Sequence, residues 1–166
     1  MSMVFDRTQA DVDDANQIIA KLNHGIMLTA KEQELYDAGL KGRYNYTDVN
    51  RVEAKAAELA GLLQRNGYPV ELETRTDWTG ADEMRYDDIV RYIDNIRRIR
   101  ECFDGMSNMP PAVPLTRWLD YAAANDIERT LWVVESAIDS IAAYLRRSGT
   151  FTAGGSYSTQ MIRRAT

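Results

Sequence analysis

The final third of the chain carries the clearest pattern. Ile127, Leu131, Val134, Ile138, Ile141 and Leu145 follow one another at steps of 4, 3, 4, 3 and 4. Such steps put apolar side chains on one stripe of an α-helix. Trp132, Ala137, Ala142 and Tyr144 widen the stripe, so this helix is expected to bury more than one face. It is expected to begin near Leu119 or Asp126 and to run to Arg147, with Ser148-Gly149 as its stop. The same rhythm recurs upstream. Val49, Val52, Ala56, Leu59, Ala60 and Leu63 predict a helix capped by Thr47 and closed by Gly67. Tyr86, Ile89, Ile93, Ile96, Ile99 and Phe103 predict another. With a start signal at Thr79 and Asp82, that helix would be roughly 28 Å long at 1.5 Å per residue.

Two shorter helices come first. Thr8, with Asp11 three residues on, opens a segment carrying Val12, Ala15, Ile18, Ile19 and Leu22, and Asn23-His24-Gly25 ends it. Thr29-Ala30-Lys31-Glu32 has the pattern of a capping box and opens a helix that Gly39 closes. Between helices, Tyr68 to Thr74 alternates like a short edge strand or an extended link, and Pro69 cannot donate to a sheet ladder. Gly105 to Pro114, with three prolines, predicts a loop. Thr150 to Ser158 reads as extended, with a turn at Gly154-Gly155. The expected fold is therefore mainly α. Residues 1–147 form a helical bundle of four to five helices, and residues 148–166 a short extended or β C-terminal arm.

Composition narrows the chemistry. At 166 residues and 45% hydrophobic, the chain is long enough to bury a real core. No apolar run approaches the roughly 20 residues that span a bilayer, so membrane insertion is not expected. The first residues, Met1 to Asp14, are too acidic and polar for a signal peptide. One cysteine and one histidine remove disulfide frameworks, multi-cysteine metal sites and most imidazole chemistry. His24 is expected to meet the carbonyls at its helix end, and Cys102 to pack as a small buried hydrophobe. No phosphate-binding glycine loop is present. The carboxylate pairs Asp87/Asp88 and Asp126/Glu128 are spaced to point to different faces. Asp126 and Glu128 are expected in the first turn of the last helix, where the macrodipole favours negative charge. Hence no catalytic, metal-binding or cofactor-binding residue is expected, and no cofactor.

Charge opposes nucleic acid as a partner. The net charge is −5, with −6 over residues 1–83 and +1 over residues 84–166. Arg97, Arg98 and Arg100 are expected to form a solvated helical face with ion pairs inside the chain. Two groups remain as candidate contact sites. Tyr44, Tyr46, Trp78 and Trp118 lie at predicted loops and helix entrances. There they can stack on sugar rings, anchor a partner, or plug the ends of the bundle, Trp78 as a staple before a helix. Phe151, Tyr157 and Ile162, with Arg163 and Arg164, mark the arm as a candidate assembly interface. A hairpin there cannot bury its own apolar side chains; it must fold back or join a neighbouring subunit.

Several strings then add up. They are Asp6-Arg7-Thr8-Gln9-Ala10-Asp11-Val12, Ala38-Gly39-Leu40-Lys41-Gly42, and Tyr44-Asn45-Tyr46-Thr47-Asp48-Val49-Asn50-Arg51-Val52-Glu53. Further on come Thr76-Asp77-Trp78-Thr79, Arg91-Tyr92-Ile93-Asp94-Asn95-Ile96-Arg97, Leu119-Asp120-Tyr121-Ala122-Ala123-Ala124-Asn125-Asp126-Ile127-Glu128 and Arg147-Ser148-Gly149-Thr150-Phe151. In this order and spacing, over nearly the whole chain, they resemble small helical structural proteins and modules. These are encoded among the tail and fibre genes of tailed phages and prophages of Gram-positive and gut bacteria. The resemblance implies a non-enzymatic bacteriophage virion structural protein, made in the host bacterial cytoplasm and located in the virion. It would act as a homo-oligomer and through other virion proteins, with no cofactor. Similar sequences often continue into a Ser-Gly-Glu-type strand where this chain has Thr150. A collar, adaptor or decoration role is therefore expected rather than direct host recognition. The alternative is a host-surface glycan-binding module that uses the loop aromatics.

Overall fold

The computed structural model describes residues 3–115 and 119–148, with backbone alone over 144–148. Among them are five α-helices and no strand: α1 (Gln9–Asn23), α2 (Ala30–Asp37), α3 (Tyr46–Arg65), α4 (Tyr86–Glu101) and α5 (Tyr121–Ser148). The expected mainly α class is what the chain adopts. The C-terminal arm from residue 149 lies outside the described residues, and so do its Phe151, Tyr157, Ile162, Arg163 and Arg164.

Helix starts follow side-chain capping. Thr8 Oγ1 accepts from the Asp11 amide at 3.3 Å, and Asp11 accepts from the Thr8 amide at 2.7 Å. Thr29 and Glu32 repeat the exchange at 3.3 and 2.9 Å. Two starts differ from expectation, and the third, that of α5, falls near Leu119 as expected. Asn45, not Thr47, caps α3, because its Oδ1 accepts from the Thr47 amide at 2.8 Å. Asp82 does accept from the Thr79 amide at 2.8 Å, and Thr79 Oγ1 accepts from the Ala81 amide at 3.3 Å, but these close a single turn. α4 begins only at Tyr86, after Asp88 accepts from the Arg85 amide at 3.0 Å. α5 begins at Tyr121, behind Asp120, whose carboxylate accepts from the Ala123 amide at 2.7 Å. α1 and α3 both end in a left-handed glycine, Gly25 at φ 65° and Gly67 at φ 86°. Ile26 and Tyr68 then donate back to Lys21 and Leu63.

The three long helices run in the same direction. On α3 and α5, Arg51 pairs with Glu128 and Lys55 with Glu135, so both sequences advance together. The segment after α3 is the extended link, not a strand. Its backbone is tied down by side chains in place of a sheet. Arg98 donates to Glu71 O, and Asn95 Oδ1 and Nδ2 bracket Glu73 at 3.3 and 2.7 Å. Glu53 accepts from the Arg75 amide, and Asn50 brackets Trp78 at 2.9 and 2.8 Å. As the link advances from 71 to 78, its partners fall from 98 to 91 on α4 and from 53 to 50 on α3. It is thus antiparallel to both helices, which must be parallel to each other. The return after α4 is held by Arg100, which reaches Pro110 O, and it brings Leu119 beside Tyr44, Val49 and Ile89.

The core lies between these helices. Val52, Leu59, Leu63, Ile99, Ile127, Leu131 and Val134 are all buried to within 1% of full exclusion. Each contributes about 1.5–3 kcal/mol by leaving water. Trp78 joins this core instead of stapling a helix start. The α5 stripe is dry through Val134, half-buried at Ile138 and 52% exposed at Ile141. The second buried face of α5 is made by Thr130 and Val133, while Trp132 faces outward over Phe5, with ring centroids 5.6 Å apart.

The α1–α2 hairpin stands apart. It has its own small cluster of Ala15, Ile18 and Leu40, flanked by Ile19 and Leu28. No residue of α2 is buried. The hairpin is fixed at its base. Lys41 bonds Asp6 O at 2.8 Å, and Gly42 lies so close to α1 that a Cβ there would sit 2.0 Å from Asp11 O.

Candidate functional site

Two constellations stand out. The first is a charged cluster that pins the N-terminal segment to the bundle. Arg7 lies 3.0 Å from Asp48 and 2.9 Å from Glu128; Arg51 lies 2.6 Å and 2.8 Å from the same two carboxylates. The Arg7 and Glu128 side chains are 2% and 0% exposed. Backbone groups complete the set. The Val4 amide donates to Glu128 at 2.6 Å, Arg7 donates to Val4 O, and Asn125 brackets the Arg7 backbone at 3.1 and 2.8 Å. Two guanidiniums face two carboxylates, so the cluster is neutral; Arg7 and Glu128 are its dry members, while Arg51 and Asp48 keep a partly exposed edge. Both carboxylates are committed to cations, which makes the cluster a clamp. Beside it, the Arg7 guanidinium lies 5.1 Å from the Tyr44 ring centre, and the Tyr44 and Tyr92 hydroxyls share a hydrogen bond of 2.5 Å. Burial raises both phenols above the usual tyrosine range and keeps them protonated.

Glu128 is therefore not a first-turn carboxylate serving the helix dipole. It lies in the second turn, on the buried face shared by Ala124 and Leu131. A carboxylate on an apolar face signals a buried partner, but that partner, Arg7, is remote in sequence. Glu53 has a similar role. It holds Arg91 at 2.7 Å and the Arg75 amide at 2.9 Å, joining α3, α4 and the link.

The second constellation is a groove of about 620 Å³ where α3 and α4 begin. Val49, Met84, Ile89 and Leu119 supply apolar lining; Tyr44, Tyr46, Trp78 and Tyr86 supply the aromatic rings. Three of the four aromatic candidates, Tyr44, Tyr46 and Trp78, are thus brought together; Trp118 lies outside the described residues. Tyr86, 55% exposed, is the member that periodicity assigns to the core stripe. Tyr46 is 45% exposed and offers a ring to solvent. Trp78 is 5% exposed, clamped by Asn50, and covered by the Arg75 guanidinium 3.9 Å from its ring centre. Arg75 is in turn held by Asp77 and Asp82. Hydrogen bonds from Thr79 and Arg75 hold the Asp82 carboxyl down to about 2. The groove thus has a rigid apolar floor, two half-exposed rings and a rim that includes Glu83 and Arg85. Its chemistry is stacking and van der Waals contact.

The remaining candidates take structural positions. His24 Nδ1 lies 2.7 Å from Ala20 O at the end of α1. Cys102 is half-buried at the end of α4, and burial pushes its thiol up. Arg97 and Arg98 both pair with Asp94, and Arg100 holds Pro110 O. No group of three His, Cys, Asp or Glu suited to a metal ion occurs among the described residues, and no helix there is long and apolar enough to cross a membrane. Comparison with protein-family models, curated proteins and solved structures finds no match to this chain.

Proposed function

We propose that this chain is a non-enzymatic assembly subunit of a bacteriophage virion, associated with the tail, fibre or collar, that works through contacts with its own copies and with neighbouring virion proteins. The observation that carries the reading is a surface one. Of the eleven large apolar side chains exposed among the described residues, five lie between Leu22 and Tyr36 on the α1–α2 hairpin. The hairpin hangs from a body in which Arg7, Arg51, Asp48 and Glu128, and likewise Glu53 and Arg91, are held in ion pairs. Clustered exposed apolar side chains on a rigid support suit an interface. The resemblance of the ordered strings to phage tail and fibre modules supports the same reading. The test is to purify particles from the host that encodes the chain and to probe them with an antibody raised against it. A virion subunit is present in fixed copy number. Particles that lack the chain overturn the reading.

The groove favours the second reading, a glycan-binding module. Tyr46 and Tyr86 present half-exposed rings over an apolar floor, the arrangement that stacks on sugar faces. Calorimetric titration with host cell-wall saccharides tests it. Binding that Tyr46→Ala and Tyr86→Ala abolish supports the module, and silence across the panel removes it.

A further inference from the structure

We infer that the α1–α2 hairpin is the docking surface for residues 149–166 of a second copy of this chain. The inference rests on the self-association reading above and names the two surfaces that would meet. On the hairpin, Ile26 and Met27 are 54% and 90% exposed at the tip, and Leu22, Leu35 and Tyr36 extend the apolar surface along the helices. α2 buries none of its eight residues, so the helix by itself lacks a covered face. The surround is acidic. Residues 9–40 carry six carboxylates, Asp11, Asp13, Asp14, Glu32, Glu34 and Asp37, against two lysines, Lys21 and Lys31.

Residues 149–166 have the complementary chemistry. They hold Phe151, Tyr157, Met161 and Ile162, two arginines at 163 and 164, and no Asp or Glu. Arg146 and Arg147 precede them, separated by Ser148. An apolar, cationic segment matches an apolar surface framed by carboxylates, and the charges steer the encounter. On the self-association reading the segment comes from a second copy, so the contact raises the mass of the assembled chain. Such contact joins two different surfaces, so it is heterologous and builds a ring or an open chain of subunits.

A mixing experiment separates the two halves of this contact. Three chains are compared by light scattering: the full chain, a chain truncated after Ser148, and a full-length Ile26→Glu/Met27→Glu variant. Both substituted side chains are exposed, and circular dichroism confirms that helicity is kept. The expected result is an oligomer for the full chain and single-chain mass for each altered chain alone. An equimolar mixture of the two altered chains, one with an intact hairpin and one with an intact segment, is expected to give a two-chain complex that weakens at high salt. A hairpin variant that assembles like the full chain overturns the inference while leaving self-association standing. So does a truncated chain that still assembles, or a mixture that stays at single-chain mass. A full chain of single-chain mass overturns the self-association reading itself.

Discussion

Glu128→Gln is the substitution that most directly tests the clamp. The carboxylate is fully buried and touches Arg7 at 2.9 Å, Arg51 at 2.8 Å and the Val4 amide at 2.6 Å. The amide keeps the shape and one acceptor but removes the charge. The cluster then holds two guanidiniums against one carboxylate, Asp48, and carries a net positive charge with Arg7 only 2% exposed. Leaving a buried charge without its partner costs about 3–5 kcal/mol. Set against a typical total stability of about 5–15 kcal/mol, that is a large share. In urea, with a slope of about 2 kcal/mol/M, the midpoint should fall by about 1.5–2.5 M. Glu58→Gln serves as the control. Glu58 is 54% exposed, and Lys55 keeps its pair with Glu135 when the Glu58 charge is removed, so the loss should be about 0–1 kcal/mol. The double variant Arg7→Met/Glu128→Leu leaves the Asp48–Arg51 pair neutral and should recover much of the loss, with a coupling of about 1–3 kcal/mol. A Glu128→Gln midpoint indistinguishable from that of Glu58→Gln would refute the reasoning, as would additive losses in the double variant.

Three further outcomes are expected. The Glu32 carboxyl is held down to about 2 by its hydrogen bonds to Lys21 and the Thr29 backbone, and it ties α1 to α2. A depressed carboxylate stabilises the fold above its unfolded value and loses that contribution as pH falls through the folded one. The protection of hairpin amides, measured against their intrinsic exchange rate at each pH, should therefore fall as pH drops from 4.5 to 2, and Glu32→Gln should flatten that dependence. Gly42→Ala places a Cβ 2.0 Å from Asp11 O. It should cost about 1–3 kcal/mol and expose α1 amides to exchange while α3–α5 stay protected. Asn95→Ala removes both hydrogen bonds that bracket Glu73. At about 2 kcal/mol it should lower the Tm by about 4–8 °C, and protease cleavage near Glu73 should rise.

The sequence made legible whatever depends on neighbours a few residues apart. Thr8 with Asp11 and Thr29 with Glu32 cap their helices as spaced, because both partners lie within one turn. The Val49–Leu63 stripe is buried throughout for the same reason: helical geometry alone fixes which side chains share a face. Thr79 with Asp82 shows the limit. The local hydrogen bonds form, yet the chain beyond them turns helical only at Tyr86. Spacing cannot convey pairing across the chain. Arg7 meets Glu128, and Asn95 meets Glu73, through side chains whose partners no periodicity specifies. The shared direction of α3, α4 and α5 depends on those same ties. The groove is half legible: Tyr44, Tyr46 and Trp78 stand out as aromatics near helix entrances, but Tyr86 reads as core by periodicity, and the convergence of the four rings depends on that shared direction.

The parallel course of the helices also sets how the chain must fold. In an up-and-down bundle a short turn lets each helix zip onto the one just made. Here α3 and α4 are separated by residues 66–85, and α4 and α5 by residues 102–120, and both returns must be laid down before neighbouring helices can meet in register. Closing the Arg7–Glu128 clamp joins residues 121 positions apart. The contacts among α3, α4 and α5 are therefore distant contacts, and loop-closure entropy opposes each one until the core has formed. Although its regular elements are helices, the domain should reach its native state at a pace closer to that of mixed α/β proteins than to that of simple bundles.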